Sequence, residues 1–258
     1  MNKYDYSLPS IVNALQRVGI TRGSTIFVHS NLGFFGMLQN AIEPSDYYTI
    51  FKEAIFDVIG DTGTLVLPTF SYSFCKKEIF DPEKTPGVCG LLSECARLDE
   101  HAKRYNDANF SVVALGKNAD LFTHDATEYS FGPGSFWDRF LKQNGIFCNF
   151  NFDAGSTFIH YVERELGVGY RFDKAFCGVT RSGNVLHERV FYHFCYDLTK
   201  PEHGPEFSKF DKRAKATGLA RVANLGRGQI VAISAGDTFT LIRQELILDG
   251  GFLTKGWM

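Results

Sequence analysis

The chain has 258 residues, 44% of them hydrophobic and 22% charged, which suits a soluble globular protein with a sizeable core. A formal charge of −2 offers no basic excess for phosphate-backbone binding, so nucleic acid is excluded as an expected partner. The opening MNKYDYSLPS lacks the apolar core of a signal peptide and no apolar run reaches membrane-span length, so a cytoplasmic chain with no membrane partner is expected.

In chain order, Ser7 can cap a helix over 8–18, where Ile11, Leu15 and Val18 form an apolar stripe that Gly19 ends. STIFVHS (24–30) reads as a strand from its β-branched and aromatic residues. Ser45 is placed to cap a second helix, DYYTIFKEAIFDVIG, with Ile50, Ala54, Ile55 and Val58 along one side. GTLVLPTFS (63–71) is apolar almost throughout and predicts a strand buried on both faces. Helices are expected near 88–97, 117–124, 135–143 and 156–166, with strands near 111–115 and 146–150 between them. This alternation predicts a mostly parallel sheet covered by helices on both faces. After Gly178 the pattern changes. NVLHERVFYHFCYDL reads as a hairpin or meander, EFSKFDKRAKATG as a polar helix, and GQIVAISAGDTFTLIRQELI as one strand and a final helix. No linker or repeat divides the chain, so 1–258 reads as one domain, in which 179–258 either completes the sheet or forms a small subdomain. The 25 phenylalanines predict aromatic packing between the layers. Six cysteines show no C-x-x-C pair or zinc-like spacing and read as buried free thiols.

Ligands of open α/β sheets sit beyond the carboxyl ends of strands. Three such ends carry hydroxyls and free backbone donors: VHSNLGFFG (28–36), LPTFSYS (67–73) and NFNFDAGST (149–157). A fourth loop, SFGPGSFWDRF (130–140), sets two glycines and Ser135 before a helix, where an anion is favoured. In STFIHYVERE (156–165), His160 and Glu163 stand three apart, on one face of the expected helix. Alone, that pair fits a surface ion pair, half a metal site needing two further ligands such as Asp153 and His29, or a base held by its carboxylate. The other histidines (29, 101, 124, 187, 193 and 203) read as structural or surface residues, and His29 as a buried, satisfied one. No P-loop, dinucleotide fingerprint, nucleophile elbow or H-E-x-x-H helix occurs.

Six segments in order, GSTIFVHSNLG, GDTGTLVLPTFS, FDPEKTPGVCGLLSE, FSVVALGKNAD, SFGPGSFWDRF and TFIHYVE, resemble the aminoglycoside 3-N-acetyltransferase (antibiotic N-acetyltransferase) family from about residue 8 to 178. The resemblance implies a three-layer α/β/α sandwich with a mostly parallel or mixed central sheet and a C-terminal α+β extension. It implies acyl transfer from a coenzyme A thioester, acetyl or longer, to an amine of a sugar-like acceptor, without a metal; a homodimer is compatible with it. By the same resemblance His160 is the catalytic histidine and Glu163 its supporting carboxylate. Ser30, Asn31 and Leu32 lie along the pantetheine arm, Pro68, Thr69 and Ser71 form the second coenzyme loop, and Gly132, Gly134 and Ser135 form the turn near the phosphates. Tyr170 and Arg171 belong to a segment beside the acceptor pocket, with Phe152 and Asp153 as further acceptor contacts.

The chemistry agrees with these roles. An imidazole titrating near ~6.5 is suited to take the proton of a sugar amine. A carboxylate on its other nitrogen fixes the tautomer. Strand-end N–H groups or the Thr69 hydroxyl would serve the oxyanion that forms as the amine attacks. Three departures from the family pattern bear on the acceptor. Ala108 takes a proline position, Gln39-Asn40 replaces paired glycines, and NFNFD replaces a glycine ahead of the histidine helix. With a single carboxylate, Asp153, among aromatics in 149–161, the sequence favours a nucleotide-linked (dTDP- or UDP-) amino sugar for surface polysaccharide synthesis. An aminoglycoside acceptor, and with it antibiotic resistance, is the alternative.

Overall fold

A computed structural model describes residues 4–257. In chain order its elements are α1 (Leu8–Arg17), β1 (Thr25–Phe27), α2 (Pro44–Ile59), β2 (Thr64–Pro68), α3 (Leu91–Arg97), β3 (Lys103–Arg104), β4 (Val112–Gly116), α4 (Ala119–Thr123) and α5 (Phe136–Lys142). They continue with β5 (Ile146–Phe150), α6 (Ile159–Glu165), β6 (Arg171–Ser182), β7 (Val185–Tyr196), α7 (Ser208–Ala216), β8 (Arg221–Leu225), β9 (Gly228–Ser234) and α8 (Ala235–Leu248).

Seven strands form one mixed sheet in the order β3-β4-β2-β1-β5-β9-β8. Its centre is parallel, with Ile26 opposite both Leu65 and Ile146, and the flanking strands β4 and β9 run antiparallel to β2 and β5. Side chains alternate cleanly across the central strands, as the two-residue period of a strand requires. Ile26, Val28, Leu65, Leu67, Val113, Cys148 and Ile230 pack on the face covered by α1, α2 and α3. Phe27, Val66, Val112, Ala114, Phe147, Val231 and Ile233 pack on the opposite face, under α4 to α8. That second face is the aromatic one. Phe27 is fully buried, and its ring lies 4.8–6.0 Å from those of His29, Phe136, Trp137, Phe140 and Phe147.

The C-terminal third resolves into two parts. β8 and β9 complete the main sheet, whereas β6 and β7 form a separate two-stranded hairpin. The hairpin is tied down from both sides: Phe80 exchanges backbone hydrogen bonds with Val179 and Arg181, and Tyr192 with Glu128 and Ser130. At Gly178 a Cβ would stand 2.5 Å from the Phe74 ring, so only glycine lets the hairpin cross there. The β8 strand escapes a pattern reading because RVANL is half exposed and polar.

Local signals explain most boundaries. Ser7 heads α1 as expected, its N–H bonded to Ser10 Oγ at 2.7 Å. The second helix starts earlier than its sequence suggests. Pro44 takes the first helical position, and Asp46 Oδ2 accepts from the N–H groups of Ile42 and Glu43, so Ser45 is inside the helix and does not cap it. All six cysteines are free, but only Cys148 is buried; Cys75 and Cys177 are exposed. Among the described residues no helix is long and apolar enough to cross a membrane.

The aromatic layer under β1 leads to an expected stability cost. Phe27→Ala should lose about 3–5 kcal/mol in urea denaturation, the usual range for emptying a buried aromatic site. A loss below about 1 kcal/mol would contradict this packing.

Candidate active site

Helix α6 begins just after the loop that leaves β5, on the aromatic face of the sheet. Ile159, Tyr161 and Val162 anchor it there, which turns His160 toward an opening while Glu163 is drawn fully inside. His160 Nδ1 and Glu163 Oε2 are 2.8 Å apart. The same oxygen is 2.7 Å from Nε of Arg171, the first residue of β6, whose side chain is only 3% exposed. A buried carboxylate is therefore held between an imidazole and a guanidinium. Burial pushes the Glu163 carboxyl up, but the hydrogen bonds and charges of His160 and Arg171 outweigh it and hold the group below the usual range. Tyr170 is packed behind the pair with its ring 5.2 Å from Trp257, and burial and the Glu163 charge both push its phenol up.

Because Nδ1 faces Glu163, it carries the proton and leaves Nε2 as the basic nitrogen. His160 lines a cavity of about 460 Å³ with Phe110, Phe131, Phe176, His193 and Phe194. Phe131 meets the imidazole edge-on at 5.6 Å and Phe207 flanks it at 5.8 Å. The hairpin supplies the outer wall of this cavity, through Phe172, Lys174 and residues 193–198.

The other expected site residues distribute unevenly. Phe152 is exposed and edge-on to His29, while the Asp153 carboxylate accepts the Gly155 N–H at 2.8 Å. A Cβ on Gly155 would touch Phe207, so that loop lies beside the His160 opening. His29 bonds Asn149 Oδ1 through Nδ1 at 3.2 Å, and burial pulls its pKa down to about 4. Ser30 sits beyond the carboxyl end of β1 with a buried hydroxyl that has no partner among the described residues, and Leu32 rests on the core. The Asn31 carbonyl accepts from Asn151, whose left-handed backbone (φ 60°) aims its amide at both Asn31 and Gln229.

Several expected contacts are corrected. Thr69 is wholly buried, its hydroxyl is bonded to Ser111 Oγ at 3.1 Å, and it does not line the His160 cavity; it is no oxyanion donor there. Ser71 is buried likewise, donating to the Ala108 carbonyl and accepting from Ser73, and Pro68 ends β2 inside the sheet. The turn at Gly132, Gly134 and Ser135 keeps its donors for itself. The Gly134 N–H goes to Asp138 Oδ2, the Ser135 N–H to the Gly132 carbonyl, and the Ser135 hydroxyl caps α5. With the Asp138 carboxylate seated on it, this turn does not suit a phosphate. Tyr170 lines no part of the cavity; Arg171 does line it, but its Nε is committed to Glu163, so it is no free cation of the kind the sequence implied. Conversely, Phe110, Phe131, Phe176 and His193 line the cavity although the sequence reading gave them no such place. The alternation of buried Phe191 and His193 in FYHFCY was the one available signal for the histidine.

Comparison with known proteins matches this chain and its fold to one family. The family model described as aminoglycoside 3-N-acetyltransferase matches residues 27–246. The chain belongs to that family. Among curated relatives, an SPbeta prophage-derived aminoglycoside N(3')-acetyltransferase-like protein, YokD, from Bacillus subtilis (strain 168) is 24% identical over 184 residues. That match spans 60% of this chain and 63% of the YokD length. Among solved structures, the aminoglycoside acetyltransferase AAC(3)-IIb superimposes with a TM-score of 0.81 at 18% identity, covering 95% of this chain and 97% of that one. AAC-IIIb, solved as a binary complex with CoASH, gives 0.77 at 19% identity, covering 93% of this chain and 97% of its own. These likenesses establish the three-layer α/β fold with its mixed sheet.

The buried ion pair has a measurable signature. Removing one partner of such a pair leaves an uncompensated charge, so Arg171→Met should destabilise the protein by about 3–5 kcal/mol near neutral pH. The Glu163 carboxyl is depressed from 4.5, so its contribution is complete above that value and is lost as pH falls through the lower folded-state value. Denaturant midpoints taken from pH 7 down to pH 3 should therefore fall less steeply for Glu163→Gln than for the parent. Parallel profiles would contradict a depressed carboxyl.

Proposed function

We propose that the protein transfers an acyl group, acetyl by family precedent, from a coenzyme A thioester to an amine of an aminoglycoside-type sugar. One observation carries this reading: Glu163, buried between His160 and Arg171, leaves the second nitrogen of His160 facing an aromatic cavity. His160 Nε2 takes the proton that the amine must lose before it can attack, a step worth about 10²–10⁴-fold. Glu163 holds the Nδ1–H tautomer and stabilises the imidazolium once the proton has moved. Arg171 keeps Glu163 ionised and in place, which makes it a positioning residue.

The coenzyme fits the chain at one of the three loops considered. The Ser30 hydroxyl is buried and unpartnered at a strand carboxyl end, which is a vacant polar contact of the kind an amide-rich arm can fill. Ser30 to Leu32 would hold that arm, and the bound thioester supplies the acyl group. The loops at 68–71 and 132–135 have their donors occupied within the protein, as described above.

The acceptor reading changes from the one the sequence favoured. Of the two residues set beside the acceptor pocket, Arg171 is bound to Glu163 and Tyr170 is buried, so neither offers a nucleotide a free cation or ring face. The family relatives are named for aminoglycosides, and one neighbour of this fold is AAC-VIa bound to sisomicin. Both considerations support the aminoglycoside alternative.

Thiol release from acetyl-CoA should be stimulated by sisomicin or a related aminoglycoside and little by dTDP- or UDP-linked amino sugars. His160→Asn should lower kcat about 10²-fold or more with little change in coenzyme affinity. Glu163→Gln should cost less, because the imidazole remains. Response to nucleotide sugars alone would reverse the acceptor assignment, and full turnover by His160→Asn at saturating substrates would remove the base.

A further inference from the structure

The cavity holds a second histidine whose proton can be located. His193 is 4% exposed and lines the cavity from the hairpin side, opposite Lys174 in the β6–β7 register. Its Nε2 lies 2.9 Å from Asn109 Nδ2. The orientation of that amide is set by its other end, because Asn109 Oδ1 accepts the backbone N–H groups of Phe74 at 3.0 Å and Cys75 at 3.2 Å. The oxygen is therefore committed to two donors, and the amide nitrogen must donate toward the imidazole. Nε2 is the acceptor, so a neutral His193 carries its proton on Nδ1. Asn109 itself is fixed by Asp107, which accepts the Asn109 and Phe110 N–H groups and the Ser130 hydroxyl at 2.6–2.9 Å. Burial pulls the His193 imidazole below its ordinary value against the raising effect of the Asp107 charge, which favours that neutral form.

Among the described residues Nδ1 has no hydrogen-bond partner, and His193 forms part of the cavity lining. Two aromatic rings frame it. Phe176 stacks on the imidazole at 4.3 Å and 24°, and Phe110 meets it edge-on at 4.8 Å. Carboxylates are scarce in this lining: Asp197 alone, already accepting from Thr199, beside two cations of the lining, Arg171 and Lys174. A polycationic sugar thus finds little acid here, and recognition falls to aromatic faces and neutral donors.

We propose that the Nδ1–H of His193 reads an oxygen of the acceptor sugar, a hydroxyl or ring oxygen of a residue seated against Phe176 and Phe110. An ammonium group offers only donors and cannot accept this proton, so the subsite selects a hydroxyl or ring oxygen over an amine. Aromatic faces suit the C–H surface of such a ring. The assignment makes His193 a specificity residue, and it rests on the aminoglycoside reading above.

The test combines a proton assignment with a binding measurement. Long-range ¹H–¹⁵N correlation on the whole protein should show His193 neutral with its proton on Nδ1, and addition of sisomicin should move that proton downfield. His193→Phe keeps the ring and loses the donor; it should raise the sisomicin Kd about 3–10-fold, as expected for one neutral hydrogen bond. A proton on Nε2 in the parent protein, or unchanged sisomicin affinity in His193→Phe, overturns the donor assignment alone. A parent protein that binds no sisomicin overturns the acceptor class, and this assignment falls with it.

Discussion

A carboxylate with no exposed surface survives as an anion only if opposite charge surrounds it, and Glu163 meets that condition through His160 and Arg171. Three pieces of the fold must agree for this to happen. Helix α6 must leave the sheet so that residues 160 and 163 share a face. The hairpin must begin at Arg171, within reach of the carboxylate. The aromatic layer must close over the helix so that water does not screen the pair. The cost of burying the charges is met by rigidity where it is useful, since an imidazole fixed at Nδ1 presents its other nitrogen in one direction.

The hairpin has a second consequence. It lies outside the main sheet, and residues from both of its strands complete the wall facing His160. The sheet and α6 thus position the Ser30–Leu32 loop and His160, while the hairpin shapes the cavity in front of the imidazole. Apart from Arg171, the hairpin residues lining the cavity are separate from the parallel strands, a division common where functional segments sit on a rigid frame.

Much of the architecture was legible because the sheet strands repeat with period two and the helices carry apolar stripes. The helix over 156–166 and the pairing of His160 with Glu163 followed from spacing alone. Partners brought together by tertiary folding did not follow. Nothing local says that Arg171 turns inward to Glu163, or that Thr69 and Ser71 are sealed in a network with Ser111, Ala108 and Ser73. The Gly-Pro-Gly-Ser turn misled for a related reason: its pattern suits an anion, but the later Asp138 occupies the donors. The place of His193 depends on Asn109, 84 residues earlier, a distance no pattern spans.

The central claim is that His160 Nε2 removes the proton from the attacking amine. Chemical rescue addresses it most directly. In His160→Gly, free imidazole and substituted imidazoles should restore thiol release from acetyl-CoA in the presence of sisomicin, and the restored rate should rise with the basicity of the added base. Failure of every base to restore turnover, in a variant that still binds both substrates, would contradict the account.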